Sequence, residues 1–143
     1  MKAKIVRAFH FSCGYAYKLA DLSETENREI YGDLSKYDGF GRNFRAEVSY
    51  TGKIDPLSGM IVNLVQIDAW ISSLSQKLDH RFLNSDLEFF KKNVPTPENI
   101  ARFIFEELQS AKTKEVEAEI FNVRLFETEN RWIDYALKPF ENE

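Results

Sequence analysis

Residues 37–44 read YDGFGRNF and place two unlike side chains, Phe40 and Arg42, on one face of a predicted strand. Side chains two positions apart along a strand share a face, and glycines beside them allow the backbone to approach a neighbour closely. A guanidinium stays protonated, so Arg42 can bind a carboxylate or a phosphate but repels a metal ion. The pattern therefore predicts a fixed positive charge beside an apolar ring at the start of this strand.

Metal-binding and nucleophilic side chains are scarce in this chain. Its 143 residues include two histidines, His10 and His80, and a single cysteine, Cys13. A lone cysteine excludes an internal disulfide framework and a multi-cysteine metal cluster. Cys13 is either a buried, inert thiol, which is the commoner situation, or a relocated reactive group.

Composition indicates an ordinary globular protein and argues against several partners. Hydrophobic residues make up 43% and charged residues 29% of the chain, and the length suits a single domain, predicted over residues 1–143. The net charge of −4 argues against nucleic acid as a partner. There is no run of about 18 apolar residues, so no membrane span is predicted. The N-terminus lacks the apolar core of a secretory signal, and a cytoplasmic location is expected.

Four segments have the residue patterns of β-strands. Residues 3–17 are rich in β-branched and aromatic residues, and residues 42–51 alternate cleanly between apolar and polar side chains. Residues 116–127 and 131–135 are predicted to pair across a tight turn at 128–130. One face of the first strand carries Arg7, Phe9, Phe11, Cys13 and Tyr15.

Two amphipathic helices are predicted between the two pairs of strands. Apolar residues recur at helical spacing over residues 64–78, with Asn63 as the N-cap. The second helix begins in PTPEN, where Thr96 is the predicted N-cap and Pro97 occupies the first helical position.

The connecting segments complete a β-β-α-α-β-β order. Ser23 and Glu26 have capping-box spacing, so residues 19–32 are predicted to form a short helix or an ordered loop, and residues 81–94 a loop. The fold class is α+β, a four-stranded antiparallel sheet with two helices on one face. Such a sheet leaves free edges and an uncovered face. Other subunits closing an oligomeric barrel would cover them.

The element order and five motifs resemble the 6-pyruvoyl-tetrahydropterin synthase and 6-carboxytetrahydropterin synthase family over residues 5–135. The motifs are F-S-x-x-x from Phe11, IDPLSGMIVNL from Ile54, LDHRFLN from Leu78, PTPEN from Pro95 and FETEN from Phe126. The resemblance implies the tunnelling fold, in which subunits join their sheets into a barrel with active sites between subunits. A homo-oligomer, trimeric or hexameric, is therefore expected.

The sequence departs from that family at the zinc site. The positions of the family's three zinc histidines are occupied here by Tyr15, Phe40 and Arg42, and its cysteine corresponds to Leu34 or, with a shifted loop, to residue 36 or 37. Zinc requires three or four converging nitrogen, sulfur or oxygen ligands. A phenyl ring supplies none and a guanidinium repels the ion. The expected cofactor is therefore none, with zinc not expected.

Other parts of the family's site are retained. Asp79 and His80 match an Asp–His pair in which the carboxylate orients the imidazole for proton transfer. Glu127 matches the glutamate that accepts two parallel hydrogen bonds from a pterin ring, and Thr96 lies where backbone groups complete ring recognition. Each has a structural alternative: Glu127 could be a solvated charge, and Asp79 with His80 could tie a helix end to its loop.

The replaced positions also leave alternatives open. Arg42 could bind a substrate carboxylate or phosphate, or pair with a nearby acid. Tyr15 could donate a hydrogen bond into the pocket or only pack. Phe40 could fill the volume of the lost ligand or stack on a ring.

Three functions remain open on these grounds. The first is a zinc-independent lyase, isomerase or aldol-type enzyme acting on a pterin-like or purine-like ring. The second is a non-catalytic pterin-binding carrier, sensor or regulatory protein, and the third is a structural assembly with a vestigial pocket. The candidate catalytic residues are Asp79, His80, Arg42 and Tyr15, and the candidate substrate-binding residues are Glu127, Thr96 and Phe40.

Overall fold

The computed structural model describes residues 1–138 and contains one five-stranded sheet. Its strands are β1 (Lys2–Tyr15), β2 (Phe40–Lys53), β3 (Arg81–Phe82), β4 (Glu119–Thr128) and β5 (Arg131–Tyr135), in the order β3-β1-β2-β4-β5. The four predicted strands form the antiparallel part of the sheet. The two-residue β3, which was not predicted, pairs in parallel with the end of β1. Residues 139–143 of the predicted domain lie outside the described residues.

Both predicted long helices are confirmed, together with their caps. The helices are α1 (Glu24–Tyr31), α2 (Leu64–Leu78), α3 (Leu83–Asp86), α4 (Glu88–Lys92) and α5 (Pro97–Ala111), and a 3₁₀ helix (Gly32–Lys36) follows α1. The Asn63 side chain accepts a hydrogen bond from the Val65 N–H at 2.9 Å. Ser23 and Glu26 form the predicted capping box at the start of α1.

The prediction of a loop over residues 81–94 is wrong, because this segment contains β3, α3 and α4. Burial explains the difference. Leu83 is 0% and Phe90 is 1% exposed, and the Phe90 ring lies 5.2 Å from that of Phe103 on α5. Packing against an element distant in sequence therefore stabilises helices that are too short to persist alone.

The core lies between α2, α5 and the helix-facing side of the sheet. The predicted alternation of β1 is confirmed, because Phe9, Phe11, Cys13 and Tyr15 are all buried. Phe11 pairs directly with Phe44 on β2, and their rings lie 5.3 Å apart. Burying each such ring contributes roughly 1.5–3 kcal/mol relative to leaving it exposed.

The other face of the sheet carries exposed apolar side chains. Val6, Phe121 and Trp132 are 44%, 46% and 44% exposed, and His10 is also exposed on this face. Among residues 1–138, none of the helices combines the length and apolar character needed to cross a membrane.

Candidate ligand site at the mouth of the first two strands

Pairing of β1 with β2 brings the first candidate residues together. Tyr15 is the register partner of Phe40, and Cys13 is the partner of Arg42. Directly paired residues project to the same side of a sheet, and for this pair it is the buried side, since Tyr15 is only 2% exposed. Strand alternation thus places Tyr15, Phe40 and Arg42 side by side.

Arg42 links Tyr15 on β1 to Glu127 on β4 and forms one hydrogen bond with each of them. Its Nε donates to the Tyr15 hydroxyl at 3.1 Å and its Nη1 donates to the Glu127 main-chain carbonyl at 3.3 Å. The bond to Tyr15 raises the pKa of Arg42 above its usual value, with smaller contributions from nearby charges. Arg42 is therefore a fixed cation. We call Tyr15, Phe40, Arg42 and Glu127 the strand-mouth cluster.

Phe40 packs among tyrosine rings. Its ring centroid lies 5.8 Å from that of Tyr15, 5.6 Å from Tyr17 and 5.5 Å from Tyr37. Burial, and secondarily the neighbouring Tyr15 and Glu127, raise the pKa of Tyr17 to about 12. The Tyr17 phenol therefore stays protonated at neutral pH and is available as a hydrogen-bond donor.

Glu127 is not a solvated surface charge. Its side chain is 11% exposed and forms an ion pair with Arg131, the first residue of β5. Glu127 also lines a cavity of about 490 Å³ together with Asn43. A carboxylate this buried needs hydrogen-bond donors, and Arg131 supplies one of them.

Asp79 and His80 lie between the end of α2 and the start of β3. We call these two residues the helix-end pair. Asp79 Oδ1 accepts a 2.8 Å hydrogen bond from the Ser12 N–H, and its Oδ2 lies 2.9 Å from His80 Nδ1. The His80 N–H donates to the Ser12 carbonyl at 2.6 Å. The Ser12 bond, and secondarily His80, hold the pKa of Asp79 below its usual value.

The imidazole of His80 itself is open to solvent. Its side chain is 85% exposed, and its φ of 57° places the backbone in the left-handed region, which is uncommon for residues other than glycine. The hydrogen bonds to Ser12 on β1 hold this conformation. The helix end therefore presents His80 at a defined point without burying it.

One cavity is lined by a residue of the helix-end pair and by a residue of the strand-mouth cluster. His80 and Arg42 both line a cavity of about 510 Å³, along with Cys13 and Asn43. Asn43 lines the Glu127 cavity as well. The tertiary structure thus brings the proposed proton-transfer group, the fixed cation and the proposed ring-binding carboxylate to adjoining cavities.

Comparison with known proteins identifies the family. Residues 4–138 match the model of the 6-pyruvoyl tetrahydropterin synthase family. The chain belongs to this family. It is 33% identical over 135 residues to the 6-pyruvoyl tetrahydrobiopterin synthase of Pongo abelii, covering 94% of this chain and 91% of that protein.

Solved structures of the family confirm the predicted tunnelling fold. The 6-pyruvoyl tetrahydropterin synthase of Caenorhabditis elegans superposes with a TM-score of 0.86 at 32% identity, over 96% of this chain and 97% of that chain. The Plasmodium vivax enzyme superposes with a TM-score of 0.67 at 13% identity, over 94% and 97% of the two chains, and supports the fold alone.

The donor set at the positions of the family's zinc histidines does not fit a zinc ion. Tyr15 offers one hydroxyl, which already accepts a hydrogen bond from Arg42; Phe40 offers carbon atoms, and Arg42 a positive charge. Within residues 1–138, no group of three or more His, Cys, Asp or Glu side chains is placed to hold a metal ion. The expectation of a zinc-free site remains a prediction.

Candidates for the family's cysteine lie on the segment before β2. Leu34 is 47% and Tyr37 is 56% exposed, and Lys36 Nζ lies 2.8 Å from Asp33 in an exposed ion pair. Burial, and secondarily Asp79, raises the pKa of the Cys13 thiol to about 12, which favours the inert interpretation of that residue.

Thr96 lies apart from the other candidates. Its hydroxyl accepts a hydrogen bond from the Asn99 N–H at 3.3 Å and caps α5 as predicted. Its N–H donates to the Val94 carbonyl at 2.7 Å, and the residue lines neither of the two cavities. A role in ring binding therefore stays a prediction for Thr96.

Several residues near the site were missed by sequence reasoning. Arg131 pairs with Glu127, and its position four residues later across a tight turn was a usable signal. The Phe82 ring packs so tightly on two glycines that a Cβ added to Gly14 or Gly39 would lie 2.9 or 2.8 Å from it. Gly41, in contrast, has no neighbour within 4 Å of such a Cβ. Only the tertiary structure could show that Gly14 and Gly39, and not Gly41, pack closely against another side chain.

Proposed function

We propose that this chain binds a pterin or a related bicyclic ring through Glu127 and performs zinc-independent acid/base chemistry on it. The observation that carries the proposal is the strand-mouth cluster. In it, Arg42 joins Tyr15, at a family zinc position, to the main chain of the proposed ring-binding residue, Glu127. The family membership supports the same ring class, since the relative from Pongo abelii is named a 6-pyruvoyl tetrahydrobiopterin synthase.

Ring recognition follows from the chemistry of a sheltered carboxylate. The 2-amino group and N3–H of a pterin form an edge with two parallel N–H donors, which matches the two oxygens of Glu127. Because the Glu127 side chain is 11% exposed, little competing water surrounds it, and each hydrogen bond to the charged group is strengthened.

Proton transfer is assigned to the helix-end pair. Asp79 lies at His80 Nδ1, which leaves Nε2 as the atom that takes or delivers a proton. Arg42 and Tyr15 supply a cation and a phenol to stabilise negative charge that develops on a substrate oxygen. His80 is 85% exposed in the isolated chain, and a neighbouring subunit of the proposed trimer or hexamer would exclude water from it.

A non-catalytic carrier or sensor is the second candidate, and one observation favours it. Arg42 already donates to Tyr15 and to the Glu127 carbonyl, so the strand-mouth cluster holds itself together without a substrate. Such a cluster can serve as a rigid binding wall even if His80 transfers no proton. A cytoplasmic location remains a prediction for either function.

Calorimetry with a panel of pterins and purines tests ring binding. We expect saturable binding of at least one pterin by the native protein and its loss in Glu127→Ala. The matched control is Glu106→Ala, which removes a glutamate that also pairs with an arginine four residues away, Arg102. Absence of binding to every ring would rule out both candidates and leave the structural assembly.

Liquid chromatography with mass spectrometry of the bound ring then separates enzyme from carrier. Turnover predicts a product that differs in mass or, for an isomerisation, in retention time and absorption spectrum after incubation with the native protein, and no such product with His80→Gln or Arg42→Ala. An unaltered ring that binds with Glu127-dependent affinity would support the carrier.

A further inference from the structure

The carboxylate proposed to bind the ring is already occupied in the free protein. Arg131 Nη2 donates to Glu127 Oε2. The two side chains differ in exposure: the arginine is 65% and the glutamate 11% exposed. A mostly exposed guanidinium therefore already uses one oxygen of a largely buried carboxylate.

The β4–β5 turn holds this arginine close to its partner. Thr128 and Arg131 are register partners across the turn formed by Glu129 and Asn130, and the Asn130 N–H donates to the Thr128 hydroxyl at 3.3 Å. The backbone therefore keeps Arg131 next to Glu127, so that its guanidinium can return to the carboxylate after leaving it. Tethering of this kind gives a competing group a high effective concentration.

A guanidinium and the donor edge of a pterin present the same pattern to a carboxylate. Both offer two coplanar, parallel N–H groups. A ring that pairs with both oxygens of Glu127 needs Oε2, to which Arg131 Nη2 already donates. Arg131 and the ring therefore compete for that oxygen.

We propose that Arg131 is an internal competitor for the ring-binding carboxylate and that a ligand binds only by displacing it. The inference rests on the proposed function, because it assumes that Glu127 binds the ring. The apparent affinity is then the intrinsic affinity multiplied by the fraction of molecules in which Glu127 is free. Removing Arg131 should raise that fraction and tighten binding.

Calorimetry with unsubstituted pterin as the probe tests the competition. Arg131→Ala should bind about fivefold more tightly than the native protein, the range expected when a partly exposed ion pair is removed. Arg131→Gln should do the same and guards against a folding defect in the alanine variant. Arg102→Ala is the matched control, because it also removes an arginine paired with a glutamate four residues away, and its affinity should equal that of the native protein.

The outcomes separate this inference from the function on which it rests. Equal or weaker binding by both Arg131 variants, with native binding intact, would overturn the competition and leave ring binding standing. Loss of binding in the native protein and in every variant would overturn both. Tighter binding by Arg131→Ala that Glu127→Ala abolishes in the double variant would support both.

Nuclear magnetic resonance offers a direct second measurement on the native protein. The Hε signal of Arg131 should move toward that of a solvated arginine as pterin saturates the site, because the guanidinium leaves its carboxylate partner. An unchanged Arg131 signal at saturation would contradict displacement.

Discussion

The strand-mouth cluster and the helix-end pair are built in opposite ways. Tyr15 is 2% exposed and is linked through Arg42 to the main chain of Glu127. His80, in contrast, is 85% exposed and is held mainly through its backbone and its aspartate neighbour. One chain therefore completes the proposed binding wall by itself, whereas the proposed proton-transfer group would need a further covering element to work in a dry site.

The largest expected effect comes from breaking the strand-mouth cluster. Arg42→Ala leaves the buried Tyr15 hydroxyl and the Glu127 carbonyl without this donor, and we expect the free energy of unfolding to fall by about 2 kcal/mol. Urea denaturation measures the change. Tyr15→Phe in the same background should cost less than it does in the native protein, because the two residues share one hydrogen bond.

The control for this comparison is Arg45→Ala on the same strand. Arg45 is exposed and forms an ion pair with Glu47 at 3.4 Å, so a loss below about 0.5 kcal/mol is expected. If Arg42→Ala were no more destabilising than Arg45→Ala, the cluster would not be the rigid unit described here.

An intermediate effect is expected where the two regions touch. Phe82, two residues beyond His80, lies so close to Gly39 that an added Cβ would be 2.8 Å from its ring and 3.3 Å from the Tyr15 carbonyl. Gly39→Ala should therefore destabilise the protein by about 1 kcal/mol, because the ring must move. Thermal unfolding measures this loss.

Two variants sharpen that result. Gly41→Ala, at a position with open space around an added Cβ, should change stability by less than about 0.5 kcal/mol. In a Phe82→Ala background, Gly39→Ala should lose most of its effect. An equal cost in both backgrounds would mean that the Phe82 ring does not couple the two regions.

The smallest expected effect concerns the acid stability of the helix-end pair. The Ser12 N–H, more than His80, lowers the pKa of Asp79 below its unfolded value of 3.8. A group with a depressed folded pKa contributes stability above its unfolded pKa and loses it as pH falls through the folded value. Asp79→Asn should therefore flatten the decline in melting temperature below about pH 4.

His80→Gln separates the two causes of the Asp79 shift. This variant keeps the hydrogen bond from the Ser12 N–H, so most of the acid decline should persist. A decline as flat as that of Asp79→Asn would instead identify His80 as the main partner of the carboxylate.

Much of the architecture was predictable because it depends on local patterns. Alternation in β1 and β2 correctly predicted which side chains share a face, and the structure shows that the face with Phe9, Phe11, Cys13 and Tyr15 is the buried one. Side-chain caps at Asn63 and Thr96 correctly predicted where the two long helices begin. The capping box at Ser23 left a short helix or an ordered loop open, and the structure shows the helix. Each of these signals depends on residues that lie close together in the sequence. It can therefore be recognised without knowledge of the tertiary structure.

The short elements between α2 and α5 could not be predicted in this way. α3 and α4 have four and five residues, too few to be stable as isolated helices. They exist because Leu83 and Phe90 are buried against the rest of the core. The same reason explains β3, which is held by pairing with the end of β1.

The sequence by itself determined the family, the order of the main elements and the presence of Tyr15, Phe40 and Arg42 at the positions where the family resemblance implies zinc ligands, because residue identity and spacing carry that information. Only the tertiary structure decided what these residues contact. It showed that Arg42 connects Tyr15 to Glu127 and that Arg131 already occupies the Glu127 carboxylate. Both are contacts between strands, and their geometry depends on how the sheet is paired and twisted.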